Sequence, residues 1–446
     1  MSGWISVWAN LAMASSPNSS GITDPSVNVT SLLSTGNKLT KEYSVSDGDL
    51  HKEYPGTIYQ GYAYRDCVPL SKIAEGITKA TSHHALCPGV CHHDVAAITV
   101  KGRDKPDEGL YARSKEHFKF EPNLPALVIF DYDPDVRGFS LSSPGELLKV
   151  VGAIHSSVTA SAHVLKPSAS AGIRYADTND LIAPTQGFHI YLPALDGSDI
   201  PRYMDVLFKR LVLAGYGHIK ISKSGSLLVR TIIDGAIKSP ERIDYVAPAI
   251  IGQGLVRDPV LVQFVPGGYL DTSTLLNLTE EEESTYQSIV DTLKIESSDQ
   301  AMLVRNQYAK QKAADTGHPI QEVLEALKQS DKGYLTHTQL LVLNDGSSLL
   351  VKDVFSNPKG WHCTSMRDPF EQEKGPDKAM LFCNEDGSIV LHSFVGGEHT
   401  YKLQNKPVSL YAGINRVSLD EAEKQLATSC NQLLSSISTT DEVSLL

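Results

Sequence analysis

No apolar run in this 446-residue chain approaches the roughly 20 residues that a membrane-crossing helix needs, so no membrane partner is expected. The first basic residue is Lys38, and the mildly apolar start Met1-Ser-Gly-Trp-Ile-Ser-Val-Trp therefore lacks the positive segment of a secretory signal. Six cysteines in so long a chain make no disulfide framework, which points to a reducing cytoplasm. Positive charge is also scarce: 40 Lys and Arg stand against 52 Asp and Glu, a net charge of −12. Any grip on nucleic acid must then come from local patches, since phosphate affinity comes from basic surface. Two candidate patches are Lys209, Arg210, Lys220, Lys223 and Arg230, and, on a later helix, Arg305, Lys310 and Lys312. No Gly-x-x-x-x-Gly-Lys-Ser/Thr occurs, which excludes a P-loop motor within the chain.

What is present is ordinary globular material, 41% apolar and 21% charged, enough for about two or three domains. Residues 1–28 are rich in Ser, Asn and Pro and read as a poorly ordered segment. Ala96–Val100 reads as a strand and Leu70–Thr81 as a helix. Ser143-Pro144-Gly145-Glu146 is a capping box opening a helix to about Ser157. Phe188–Leu192 alternates as a strand, with His189 and Tyr191 on one face. A helix follows from Pro201 to Ala214, stopped by Gly215, then strands at His218–Ser222 and Leu227–Ile233. The mixture predicts an α/β or α+β core over 29–275. Beyond it come a helical accessory segment over 276–332, opened by the cap Thr279-Glu280-Glu281-Glu282, a small β-rich domain over 333–404, and a C-terminal helix and tail over 405–446.

The segment Ala126-Leu127-Val128-Ile129-Phe130-Asp131-Tyr132-Asp133 is an apolar strand ending in two acids spaced two apart. Alternate strand residues share a face, so Asp131 and Asp133 point the same way. Carboxylates that close resist joint ionisation unless a hard cation joins them. An Asp-rich turn spells the same way, so the pair gains meaning from its company. His189 lies on a second strand, and Leu227–Ile233 runs into Asp234.

An apolar strand into Asp-x-Asp, a small-x-His strand and an apolar strand into a lone Asp resemble the archaeo-eukaryotic primase superfamily, in particular the primase–polymerases of plasmids, phages and integrated elements. Ser168-Ala169-Ser170-Ala171-Gly172 leading to Gly187-Phe188-His189 resembles the second motif region, and Ile233-Asp234-Gly235 through Ser239-Pro240-Glu241-Arg242 the third. Asp368-Pro369-Phe370 and Leu391-His392-Ser393-Phe394, with Gly396-Gly397 and Tyr401, resemble the small domain that such proteins carry after the core.

The resemblance implies an α+β fold with an RRM-like catalytic sheet and flanking helices. It also implies a nucleotidyltransferase that makes and extends primers on single-stranded DNA from nucleoside triphosphates. Asp131, Asp133 and Asp234 would hold two Mg²⁺ or Mn²⁺ ions, and His189 would contact the phosphates. Ser168, Ser170, Arg230, Arg242 and Lys223 would help to bind the nucleotide, and Arg305, Lys310 and Lys312 the template. Gly187 departs from the pattern where many members carry serine, removing a hydroxyl contact. A replicative helicase is expected in trans or fused in a longer protein.

His83-His84-Ala85-Leu86-Cys87-Pro88-Gly89-Val90-Cys91-His92-His93 has four soft donors, but it is only half of a zinc pattern. Buried thiols and surface histidines are the expectation there, not zinc. Two other functions use similar residues: a DNA-binding replication initiator with an inactive acidic site, and a metal-dependent nuclease.

Overall fold

Alternation along one strand sets the two faces of the central sheet. The structure, a computed structural model, describes residues 23–405 apart from 47, 55, 101–102, 134–138, 140, 142, 183–186, 260, 385 and 396–398, together with 424. It is a mixed α+β chain that divides into two compact units, Met1–Arg305 and Asn306–Leu446.

Nine strands form the sheet of the first unit: β1 (Ser26–Ser34), β2 (Gln60–Pro69), β3 (His84–Cys87), β4 (Val95–Thr99), β5 (Leu110–Ala112), β6 (Ala126–Tyr132), β7 (His163–Pro167), β8 (Phe188–Ala194) and β9 (Gln263–Val265). Their order is β9-β7-β8-β6-β1-β2-β4-β5, with β3 also paired to β1. Strands β6 and β8 run antiparallel and put Asp131 opposite His189; β7 and β8 put Lys166 opposite His189.

In β6 the even residues Ala126, Val128, Phe130 and Tyr132 join one core with Leu147 and Val151 of α2 (Pro144–Ile154) and Tyr203, Met204 and Leu207 of α3 (Ile200–Leu211). The odd residues Leu127 and Ile129 join another with Val27 and Val29 of β1, Tyr191 of β8 and Ile73 and Ile77 of α1 (Leu70–Lys79). Burial of each large apolar side chain contributes about 2–3 kcal/mol, so the two cores lock the strand's orientation. Asp131 belongs to the odd set and therefore emerges on the α1 side.

The helices form where caps and spacing ask for them. Leu70, Ile73, Ala74 and Ile77 line the buried stripe of α1. At the start of α2, Ser143 Oγ accepts from the Glu146 amide at 3.4 Å, with Pro144 in the first turn. After α3 the chain takes one wider turn over Val212–Tyr216 and reverses at Gly215, whose φ is 86°. Strand β1 begins inside the stretch expected to be poorly ordered, because Val27 and Val29 alternate into the core. The remainder of that stretch, 1–22, lies outside the described residues, as do 406–423 and 425–446 of the expected C-terminal helix and tail.

The strand expected over Leu227–Ile233 is shorter. It ends at Arg230, in a separate hairpin with His218–Ile221. Thr231 Oγ1 donates to the Ile233 carbonyl at 3.0 Å, and this local bond turns the chain out of the extended form.

Helix α4 (Glu280–Glu296) carries the full capping box at Thr279 and Glu282. Helix α5 (Ser298–Thr316) contains the division between the units, so the accessory segment expected over 276–332 is shared between them. The second unit holds α6 (Ile320–Asp331) and a five-stranded sheet ordered Tyr334–Leu335, His399–Leu403, Ile389–Ser393, Ala379–Cys383, Ser365–Met366. Leu327, Leu341, Val351, Leu381, Leu391 and Leu403 give it a core of its own. Asp368 accepts from the amides of Phe370 and Glu371 and from Ser393 Oγ at 2.5 Å, which ties together two motifs singled out in the sequence. Gly396 and Gly397 lie outside the described residues. Among the described residues no helix is long and apolar enough to cross a membrane.

Candidate active site

At the end of β6, Asp131 Oδ1 stands 3.5 Å from His189 Nε2. The other ring nitrogen, Nδ1, is 3.1 Å from Asp244 Oδ1, within hydrogen-bonding distance but off the line of a straight bond. The second Asp244 oxygen accepts from the Tyr191 hydroxyl at 2.6 Å. Lys166, buried on β7, donates to the Tyr245 carbonyl at 3.0 Å. One imidazole is thus flanked by two carboxylates.

Two loop segments complete the cluster. The Asp234 amide donates to the Asp131 carbonyl at 3.0 Å, which stitches the loop after the hairpin onto the end of β6. The Asp234 carboxylate accepts from the Ala236 amide at 3.0 Å. Asp234 was expected at a strand end; it reaches the same place from a loop, through this backbone bond. Asp244 is held by a pair of backbone bonds with Leu86 of β3, at 3.0 and 2.7 Å. Asp133 lies one residue beyond β6 and is exposed, while Pro134 and Asp135 fall outside the described residues.

The acids respond to this crowding in opposite ways. Burial raises the Asp131 carboxyl; His189 opposes the rise, and Asp234, Asp244 and Asp133 add to it. Burial would also raise Asp244, but His189, Lys166 and the Tyr191 hydroxyl outweigh it and hold that carboxyl well below the usual range. Burial lowers Lys166, against the pull of Asp244 and Asp131. Lys41 is lowered by burial and by its neighbour Lys52, with Asp133 and Asp131 pulling the other way. Lys52 Nζ lies 5.6 Å from the Tyr43 ring centre and 4.7 Å from that of Tyr54.

The donor set fits a hard divalent ion. A half-buried carboxyl raised by desolvation and by three further acids, with only oxygen donors on Asp131, Asp133 and Asp234, is the situation such a cation relieves. Among the described residues, no three His, Cys, Asp or Glu side chains already stand at metal-ligand spacing.

The serine loop lies beside the cluster. Ser168 donates its amide to the Gly187 carbonyl at 2.8 Å, and the Ser168 and Ser170 hydroxyls are 3.2 Å apart. Arg242 shares the loop of Asp244, its amide bonded to the Ser239 carbonyl at 3.2 Å. Arg230 pairs in register with His218, and Lys223 sits in the turn of that hairpin rather than on the segments that carry the acids.

The expected basic patches are drawn largely into internal contacts. Lys209 pairs with Glu283 at 2.6 Å and Arg210 with Glu282 at 3.0 Å. Arg305, expected on template, donates to the carbonyls of Ser224 and Gly225 at 3.4 and 3.2 Å. It closes the first unit, and Lys310 and Lys312 follow it along α5 into the second. Lys312 Nζ is 5.8 Å from the Tyr308 ring centre.

Cys87 and Cys91 are buried, and burial pushes the Cys87 thiol up to about 12; His92 and His93 are exposed. Asp244, Lys166 and Lys41 carry no motif in the sequence. Asp244 is a loop residue whose meaning comes from the Leu86 bridge, which no local pattern records. No family model matches the chain, and no curated protein and no solved structure matches it either.

Proposed function

We propose that the chain is a nucleotidyltransferase that copies single-stranded DNA, a primase–polymerase of the archaeo-eukaryotic primase type. The observation that carries the reading is the backbone bond from Asp234 to Asp131, which brings two acids distant in sequence to the strand end that faces His189.

Asp131, Asp133 and Asp234 would hold two Mg²⁺ or Mn²⁺ ions. When bound, such ions activate a primer 3′-hydroxyl and stabilise the departing pyrophosphate. The chain's own task is to position and neutralise charge, which a loose phosphoryl-transfer transition state chiefly needs. His189 turns Nε2 toward the acids, where it meets a nucleotide phosphate. Ser168 and Ser170 border the same edge, and Lys41 and Arg242 supply positive charge from two other segments. Nucleoside triphosphates and single-stranded DNA are the partners, with a helicase acting in trans or fused.

The test is extension of a single-stranded template with Mn²⁺ and each nucleotide class in turn. The double variant Asp131→Ala with Asp133→Ala is expected to lose synthesis by at least about a thousandfold while keeping its fold and DNA binding. Primer synthesis by that variant would overturn the assignment. Degradation of labelled strands without nucleotides identifies a nuclease instead, and DNA binding by the wild type without incorporation identifies an initiator.

A further inference from the structure

Asp244 occupies a place in the cluster that the metal-binding reading does not use. The residue is 5% exposed, and its two carboxylate oxygens are directed at His189 and Tyr191. It stands behind the imidazole, on the opposite ring nitrogen from Asp131. A buried carboxylate is costly unless its oxygens are partnered, and here the partners are two residues of β8 on the sheet face that carries Asp131. Lys166, next to His189 in the sheet register, adds a buried positive charge to the same group. The backbone bridge to Leu86 fixes the main chain from which the carboxylate projects.

A histidine has two distinct nitrogens, and the contact made by one decides which is offered to a ligand. A free imidazole on a strand can rotate and present either. We infer that Asp244 is a positioning residue that reserves Nδ1 of His189 for itself, so that Nε2 alone faces the phosphates of a bound nucleoside triphosphate. The assignment deepens the nucleotidyltransferase reading and rests on it for its kinetic consequence. The ring contact itself stands on geometry and does not depend on any activity.

Two measurements on the full chain separate these. The ring nitrogen shifts of His189, read by NMR in the nucleotide-free protein, report which nitrogen is engaged. Asp244→Asn, nearly isosteric but uncharged, is expected to redistribute the tautomer and to raise KM for the nucleotide by about tenfold to a hundredfold. That is the order of the loss in affinity or activity when the carboxylate behind a metal-bound histidine is removed. kcat is expected to fall less. Tyr191→Phe leaves the Asp244 contact to His189 in place and is expected to keep the wild-type tautomer. An unchanged ring in Asp244→Asn, or a wild-type KM, overturns the proposal. So does a Tyr191→Phe effect as large as that of Asp244→Asn, which would make the role one of packing. If the wild type incorporates no nucleotide while the NMR result holds, the clamp stands and the nucleotidyltransferase reading falls.

Discussion

Two acids on either side of one imidazole are pushed in opposite directions, and each direction has a consequence for stability. Asp131 is raised above the usual carboxylate range, first by burial and then by its acidic neighbours. A raised acid binds its proton more tightly when folded, so its favourable contribution is complete at low pH and is lost as pH rises through the folded value. Asp131→Asn is therefore expected to stabilise the metal-free protein at neutral pH, by about 1 kcal/mol for each unit that the native site raises the carboxyl. The gain should shrink as pH falls through the raised value. Thermal unfolding in a chelator across pH 4 to 8 checks this; a less stable variant at pH 7 would contradict it. Asp244 is depressed, so its contribution is complete above the ordinary Asp value and drains away as pH falls below about 4.

At the scale of elements, local signals governed what could be read in advance. The cap at Ser143 and the capping box at Thr279 mark helix starts because each bond is made within four residues. The alternation in β6 and β8 was legible for the same reason. The strand expected to run into Asp234 was not, because Thr231 folds the chain out of the extended form and a bond to β6 then places the acid. Nor was Arg305, whose charge suggests a phosphate but whose donors meet the Ser224–Gly225 turn.

That turn makes its own prediction. Gly225 has a φ of 81°, and a Cβ there would meet Arg305 Cβ at 2.6 Å and the Ala301 carbonyl at 2.8 Å. Gly346 has a φ of 89° with nothing within 4 Å. Gly346→Ala is expected to cost about 1–2 kcal/mol, the conformational term alone. Gly225→Ala should cost about 1–3 kcal/mol more through overpacking. Paired denaturant melts decide it, and equal costs would show that α5 yields to the added methyl.

For the whole molecule, the meaningful division is the one between two cores. Leu391 is buried among residues of the second unit alone, and Phe130 among residues of the first. Calorimetry is expected to resolve two transitions, since separately cored units need not unfold together. Leu391→Ala should destabilise one of them by about 2–5 kcal/mol and leave the other in place. A single transition shifted as a whole would show that the units unfold as one. The net charge of −12 acts at this scale too, because a chain of that sign repels polyanions over most of its surface.

The parity of β6 has one more implication. Even positions feed one interior and odd positions the other, and the acid sits in the odd series. Inserting or deleting a single residue upstream within that strand would swing Asp131 into an oily interior and turn Phe130 out toward water. The Asp131 carboxylate is thereby tied to the hydrophobic code of its own strand. Side chains here can be exchanged within the pattern, but a change in the count moves Asp131 to the other face.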